Sequence, residues 1–181
     1  MQGTIFTAFS DMVIEKIGME CWNELLDKTK PASQGIYTAG EQYKDGELIE
    51  MVKLLSKKTG IAINDLLTAF GEYIFETLYQ NSPADLSSLT NLKDFLLAID
   101  GVIHSEVKRV HPSAYLPSFK YHNSENGDLI LEYSSKRKLC YLAVGLIQGA
   151  AAKFSEKISI SHPVCMHKGA DHCELIIHFQ G

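Results

Sequence analysis

The chain has 181 residues, a formal net charge of −5, 45% hydrophobic and 22% charged residues, the composition of an ordinary globular domain with one sizeable core. Its scattered basic residues exclude an extended nucleic-acid surface, and no run of about 18 apolar residues is present to cross a membrane. The start lacks the basic-then-apolar pattern of a secretory signal, so a cytoplasmic location is expected, where four cysteines point to metal binding or redox chemistry rather than to disulfides.

No repeat, low-complexity stretch or linker interrupts the chain, and a single domain over 1–181 is expected. Ile5, Phe9, Val13 and Ile17 share one helical face, interrupted at Gly18. Leu48, Met51, Val52 and Leu55 form a second stripe, closed by Gly60. Asn64 is placed to cap a third helix carrying Leu67, Phe70, Ile74, Phe75 and Leu78, which must end before Pro83. A fourth helix starts near Thr90, carries Leu92, Phe95, Leu96, Ile99, Ile103 and Val107, and stops at Pro112.

The last third changes period. Phe119 to Tyr121 and Leu129 to Ser135 flank a turn at Asn123-Ser124-Glu125-Asn126-Gly127, which predicts a hairpin. A helix follows, roughly from Leu139 to Lys153. Ile158 and Ile160 alternate with serines, Leu175 to Phe179 alternates again, and a second hairpin is predicted across Pro163 to Cys173. Helices first and antiparallel strands after predict an α+β fold.

Three groups of residues carry chemistry. His104 falls on the fourth helix with Leu97 and Val107, on an apolar face. That position suits a hydrogen-bonded core histidine. It also suits a haem, which needs an apolar slot and one neutral nitrogen donor. His111, seven residues on, is a rival ligand. Tyr133, Ser135 and Arg137 stand two apart, so an extended strand projects them together. Two hydroxyls and a planar guanidinium suit a pair of carboxylates, and equally a polar outer face. Cys140, His162, Cys165 and Cys173 offer a Cys₃His set acceptable to tetrahedral zinc, with His167, His172 and His178 as rivals for the nitrogen position. The alternatives are reduced thiols, or thiols that oxidise and release metal. Cys21, beside Trp22, reads as a small packing hydrophobe.

The segment from His104 to Phe119 resembles the surroundings of the proximal histidine in the H-NOX (haem nitric oxide/oxygen binding) family: His104 is followed by Pro112, Ala114, Pro117 and Phe119. Tyr133-Ser134-Ser135-Lys136-Arg137 is similar to the family's Tyr-x-Ser-x-Arg motif, and Met1-Gln2-Gly3-Thr4-Ile5 to its N-terminus. The resemblance covers the whole chain, with one departure: His111 stands where the family usually has an aromatic residue. It implies a helical part packed on a C-terminal antiparallel sheet, with haem b buried between them. His104 would bind the iron, Pro117 would press on the porphyrin, and Tyr133, Ser135 and Arg137 would clamp its carboxylates. The distal pocket is implied at Ile5, Phe9, Ile74, Leu142 and Leu146, all apolar.

Oxygen-binding members place a tyrosine where this chain has Leu142; Tyr141, about 100° round the helix, should point elsewhere. The implied gas ligands are therefore NO and CO. By resemblance to stand-alone bacterial members, related to the sensor domain of soluble guanylate cyclase, the chain is expected to be an NO sensor and not an enzyme. Loss of the iron–His104 bond and movement of its helix would signal to a separate histidine kinase or cyclic-di-GMP enzyme. Some members carry zinc where Cys140, His162, Cys165 and Cys173 lie. The rival readings are a zinc–thiol redox sensor and a haem enzyme such as a peroxidase, which would need an acid–base residue missing from the distal positions.

Overall fold

A computed structural model describes residues 1–180. Helices come first: α1 Gly3–Lys16, α2 Met19–Thr29, α3 Asp45–Thr59, α4 Ile63–Gln80, α5 Leu92–Ala98 and α6 His104–Val110. The strands follow as β1 Ser118–Asn123 and β2 Leu129–Ser134, then α7 Cys140–Lys153, then β3 Lys157–Val164 and β4 Cys173–Gln180. The expected α+β order holds. The sheet is antiparallel throughout, in the order β1-β2-β4-β3. No helix among the described residues is long and apolar enough to cross a membrane.

Local chemistry accounts for most boundaries. Gly18, at φ 120°, ends the first apolar stripe as expected. It also opens α2, which the stripe analysis passes over; Cys21, Trp22 and Leu25 are the residues α2 buries. Asn64 is not a cap, because α4 begins one residue earlier at Ile63 and makes no side-chain cap bond. Asn91 is one: its side chain accepts the Asp94 N–H at 2.8 Å and starts α5. Gly127, at φ 87°, closes the β1–β2 turn with its N–H on the Ser124 carbonyl at 3.1 Å. In the second hairpin, Ser161 pairs with Ile176 but Val164 with Glu174, so β3 holds one extra residue at His162–Pro163. Pro163 is tolerated there because β3 is an edge strand.

The fourth predicted helix is interrupted. Between α5 and α6 a wide π turn spans Ile99–Ile103, and the His104 N–H bonds the carbonyl of Ile99, five residues back. One extra residue in a helix shifts everything after it by about 100°. In an unbroken helix His104 would share a face with Leu97. Instead Leu97 is 41% exposed while Leu96 is 1% exposed, and His104 is carried round to the Leu96 side.

Two clusters of buried side chains form the interior. One joins α1 to α4; the other joins α4, α5 and α7 to the sheet. Helices α4 and α7 meet along the seam between them at backbone distance. A Cβ on Gly145 would lie 1.9 Å from the Thr68 carbonyl oxygen, and one on Gly71 would lie 2.3 Å from that of Leu142. Gly145→Ala is therefore expected to destabilise the fold by about 2 kcal/mol or more, a fall of roughly 4–8 °C in Tm. Gly46→Ala, where an added methyl meets nothing within 4 Å, should be neutral or slightly stabilising. Thermal unfolding of both variants checks this; equal Tm values would mean that the seam can open without cost.

Candidate functional site

Between α1, α4, α6 and the sheet lies a cavity of about 580 Å³, within the range of ligand and cofactor sites. Its walls are mostly apolar, with Phe95, Leu96, Ile99, Ile103 and Val107 from the α5–α6 segment and Phe119 from β1. His104 lines it from α6, with its side chain 17% exposed. The Asp100 carboxylate faces the His104 Nδ1 at 3.3 Å. Burial nevertheless holds the imidazole below its ordinary pKa, and Asp100 only partly offsets this. The neutral ring is thereby favoured at neutral pH. With Nδ1–H donated to Asp100, the Nε2 lone pair is free to bind a metal.

A polar corner closes the cavity at the end of β2. Tyr133, Ser135 and Arg137 all line it, but not by strand alternation. The strand stops at Ser134, and a turn with the Lys138 N–H on the Ser135 carbonyl at 3.1 Å carries Arg137 to the corner. Tyr133 Oη accepts the Leu139 N–H at 3.1 Å, and Ser135 Oγ accepts the Arg137 N–H at 3.2 Å; both keep a hydroxyl hydrogen to donate. Arg137 Nε donates to Asp45 Oδ2 at 2.6 Å, and Nη1 to the Tyr115 carbonyl at 2.6 Å. The guanidinium lies 4.8 Å from the centre of the Tyr115 ring. The Met1 amino group lies 2.8 Å from the other Asp45 oxygen. Burial alone would raise the Asp45 pKa, but Arg137 and this amino group outweigh it, and the carboxyl sits below its ordinary value. An apolar slot with a neutral imidazole on one wall and three donors at one end fits a haem with its two carboxylates.

The other sequence-derived positions divide. Ile5, Pro117, Leu142 and Leu146 line the cavity, and so does His111. Phe9 and Ile74 do not; they are buried in the core cluster against which Ile5, Leu142 and Leu146 pack. Tyr141 points away from the cavity, its ring centre 5.3 Å from that of His162. The sequence reading missed Gln2, Thr4 and Gln42, which join Ile5 on the same wall. The Thr4 hydroxyl donates to the Ala39 carbonyl at 3.2 Å, whereas the Gln2 amide nitrogen is buried without a partner. Gln2 and Thr4 stand in the N-terminal motif, but nothing in its spacing gives them a cavity role, and Gln42 reaches the wall through an isolated bridge to Gln2.

A second cluster lies where α7 meets the last hairpin. The ligand atoms of Cys140, His162, Cys165 and Cys173 lie within 4.8 Å of one another. Cys140 Sγ and Cys165 Sγ are 4.0 Å apart, and all four cysteines of the chain are free thiols. Zinc–sulfur bonds of 2.3 Å set tetrahedral sulfurs about 3.8 Å apart, so the spacing suits a shared ion and exceeds a disulfide. His162 Nε2 is buried with no partner, and burial holds its pKa below the ordinary value, as a neutral ligand requires. The thiols of Cys140 and Cys173 are pushed up, by burial first. The rival histidines are engaged elsewhere: His167 faces the Lys138 carbonyl, His172 faces Asp171, and His178 sits between Asp128 and Ser161. Cys21 is buried beside Trp22, as a packing residue should be.

The comparisons with known proteins agree with this fold. The chain superposes on an H-NOX protein from Shewanella oneidensis in the Fe(II)NO ligation state with a TM-score of 0.92 and 37% identity, covering 100% of both chains. It superposes on the Fe(II) unliganded H-NOX protein from K. algicida with a TM-score of 0.91 and 28% identity, covering 100% of this chain and 97% of that one. Among curated proteins it is 25% identical over 158 residues to the soluble guanylate cyclase gcy-35 of Caenorhabditis elegans, or 84% of this chain and 23% of that one. It is 26% identical over 165 residues to gcy-33 of the same organism, 88% of this chain and 17% of that one. The chain thus spans less than a quarter of the length of these curated relatives. The profile of the Haem-NO-binding family matches residues 2–162, a stretch that includes both walls of the cavity, and the chain therefore belongs to that family, the H-NOX domains.

Proposed function

We propose that the chain is a single-domain, haem b-based sensor of nitric oxide, with His104 as the iron ligand. The observation that carries this reading is a half-buried imidazole, held below its ordinary pKa by burial, that lines an apolar cavity with Tyr133, Ser135 and Arg137 at one corner. The haem would supply an open coordination position for a small neutral gas. Ile5, Leu142 and Leu146 would line that position with hydrocarbon, which accepts NO and CO, and Leu142 would leave it without the tyrosine hydroxyl of oxygen-binding members. Pro117, on the cavity wall, would press on the porphyrin. His104 belongs to α6 and hangs from the π turn, so its release would free that helix to move. A conformational signal requires unequal ligand affinity for the two positions. The signal would pass to a separate cytoplasmic partner, a histidine kinase or a cyclic-di-GMP enzyme, rather than to chemistry within this chain; the apolar wall offers no general acid or base.

A second input is favoured by the thiol cluster. We propose a zinc ion held by Cys140, His162, Cys165 and Cys173, fastening α7 to the final hairpin. Oxidation of the thiolates would release it.

Absorption spectra test the first reading. His104→Gly should lose its haem, or keep it only with added imidazole, whereas His111→Ala should take up haem with an unchanged axial-ligand spectrum; the reverse pattern would move the axial ligand to His111. For ligand choice, the ferrous protein should bind NO and CO and form no stable oxygen complex in air, and Leu142→Tyr should create one. A stable oxygen complex in the unsubstituted protein would sink the apolar-wall argument. Metal analysis tests the second reading. Reduced protein should carry about one zinc per chain, peroxide should release it, and Cys173→Ser should be metal-poor while its haem spectrum is unchanged. Full occupancy in Cys173→Ser would reduce the cluster to buried thiols.

A further inference from the structure

We propose that His111 is a further anchor for a haem carboxylate, and that it makes haem retention depend on pH. The inference rests on the haem-binding reading above and adds to it a residue type at a position that is usually aromatic in the family.

His111 follows His104 by seven residues, two helical turns or about 10 Å along the axis, on the same side, and it lines the same cavity. Tyr133, Ser135 and Arg137 line one corner of that cavity and would hold the carboxylates there. The turn after His111 is strapped to it. The Ala114 N–H bonds the His111 carbonyl at 2.9 Å, Arg137 Nη1 bonds the Tyr115 carbonyl at 2.6 Å, and the Lys136 N–H bonds the Tyr115 hydroxyl at 2.8 Å. His111 thus lines the cavity at the start of a turn that is fastened to the clamp. Among the described residues its hydrogen bonds are those of its backbone, so the imidazole is uncommitted.

The titratable and charged groups on the cavity walls are His104 on α6, Tyr79 on α4, Tyr115 in the turn, Tyr133 and Arg137 from the end of the sheet, and the Met1 amino group. The amino group is committed to Asp45 and to the Tyr43 carbonyl. Burial pushes the Tyr133 phenol up to about 12. Imidazole is the side chain that changes charge between pH 5 and 8. A protonated imidazole gives a carboxylate a charge-assisted hydrogen bond, and a neutral one gives a weaker bond.

The test is the rate of haem transfer from the loaded protein to excess apomyoglobin, at pH 6 and pH 8.5, for the unsubstituted protein, His111→Gln and Arg137→Ala. Acid release through His104 is common to the proteins compared, so the ratio of rates isolates position 111. His111→Gln should lose haem roughly tenfold faster than the unsubstituted protein at pH 6 and no more than about twofold faster at pH 8.5. The difference should vanish when both are loaded with haem dimethyl ester, which lacks the carboxylates. Arg137→Ala should lose haem faster at both pH values. A ratio independent of pH, or one that persists with the ester, overturns the role of His111 and leaves haem binding standing. Loss of the axial-ligand spectrum in His111→Gln would make His111 the iron ligand and overturn this proposal together with the His104 assignment. Failure of the unsubstituted protein to take up haem would remove the reading on which both rest.

Discussion

A guanidinium cannot be left unpaired inside a protein, and the architecture of this chain is organised around the pairing of one. Arg137 reaches the cavity corner from the turn between β2 and α7, where it meets Asp45 from the first residue of α3 and the Tyr115 carbonyl from the segment between α6 and β1. Those partners stand 70 residues apart in the sequence. Removing the Asp45 carboxylate would leave a half-buried guanidinium without its counter-ion, at a greater cost than the ion pair itself contributes. The contact therefore works chiefly by excluding alternatives. It fixes where the helical part and the sheet lie against each other, and so the dimensions of the space between them.

Within that space, chemistry is divided by wall. The α5–α6 segment supplies the one strong neutral donor, α1 and α7 supply hydrocarbon, and the end of the sheet supplies hydroxyls and positive charge. This separation lets one molecule with an apolar body and acidic arms bind in a single orientation. The thiol cluster lies on the far side of α7, so that helix carries cavity residues Leu142 and Leu146 on one side and Cys140 on another. The bulge at His162–Pro163 on β3 adds the extra residue that brings a histidine in among the sulfurs.

Much of this was legible in the sequence, for identifiable reasons. Long apolar stripes marked α1, α3, α4 and α7, and the change from helical to alternating period marked the sheet. His104, Tyr133, Ser135 and Arg137 were legible because each belongs to a motif with chemical logic in its spacing. What was not legible depended on geometry that spacing cannot encode. Arg137 reaches the cavity corner through a turn rather than a strand, so the alternation argument gives the wrong reason for its standing beside Tyr133 and Ser135. Phe9 and Ile74 satisfy the apolar pattern of a pocket wall but serve as core, since hydrophobicity does not distinguish a lining from what lies behind it. Helix α2 was missed because its three buried residues form too short a stripe. Gln2, Thr4 and Gln42 were missed because they meet only in the folded chain.

The π turn at Ile99–Ile103 makes the position of His104 a matter of residue count more than of residue identity. Deleting any one residue there would restore a regular helix and swing the imidazole by about 100° toward the solvent side marked by Leu97, even though every cavity side chain remained in the sequence. Substitutions within the turn leave the count intact and act instead through the Asp100 contact with His104 Nδ1 and the cavity lining at Ile99 and Ile103. An aligned relative with an unbroken helix at this point must carry a gap of one residue here to present its histidine to the same wall. A gap in this stretch is thus a better guide to whether a distant sequence retains the ligand than the degree of similarity around it.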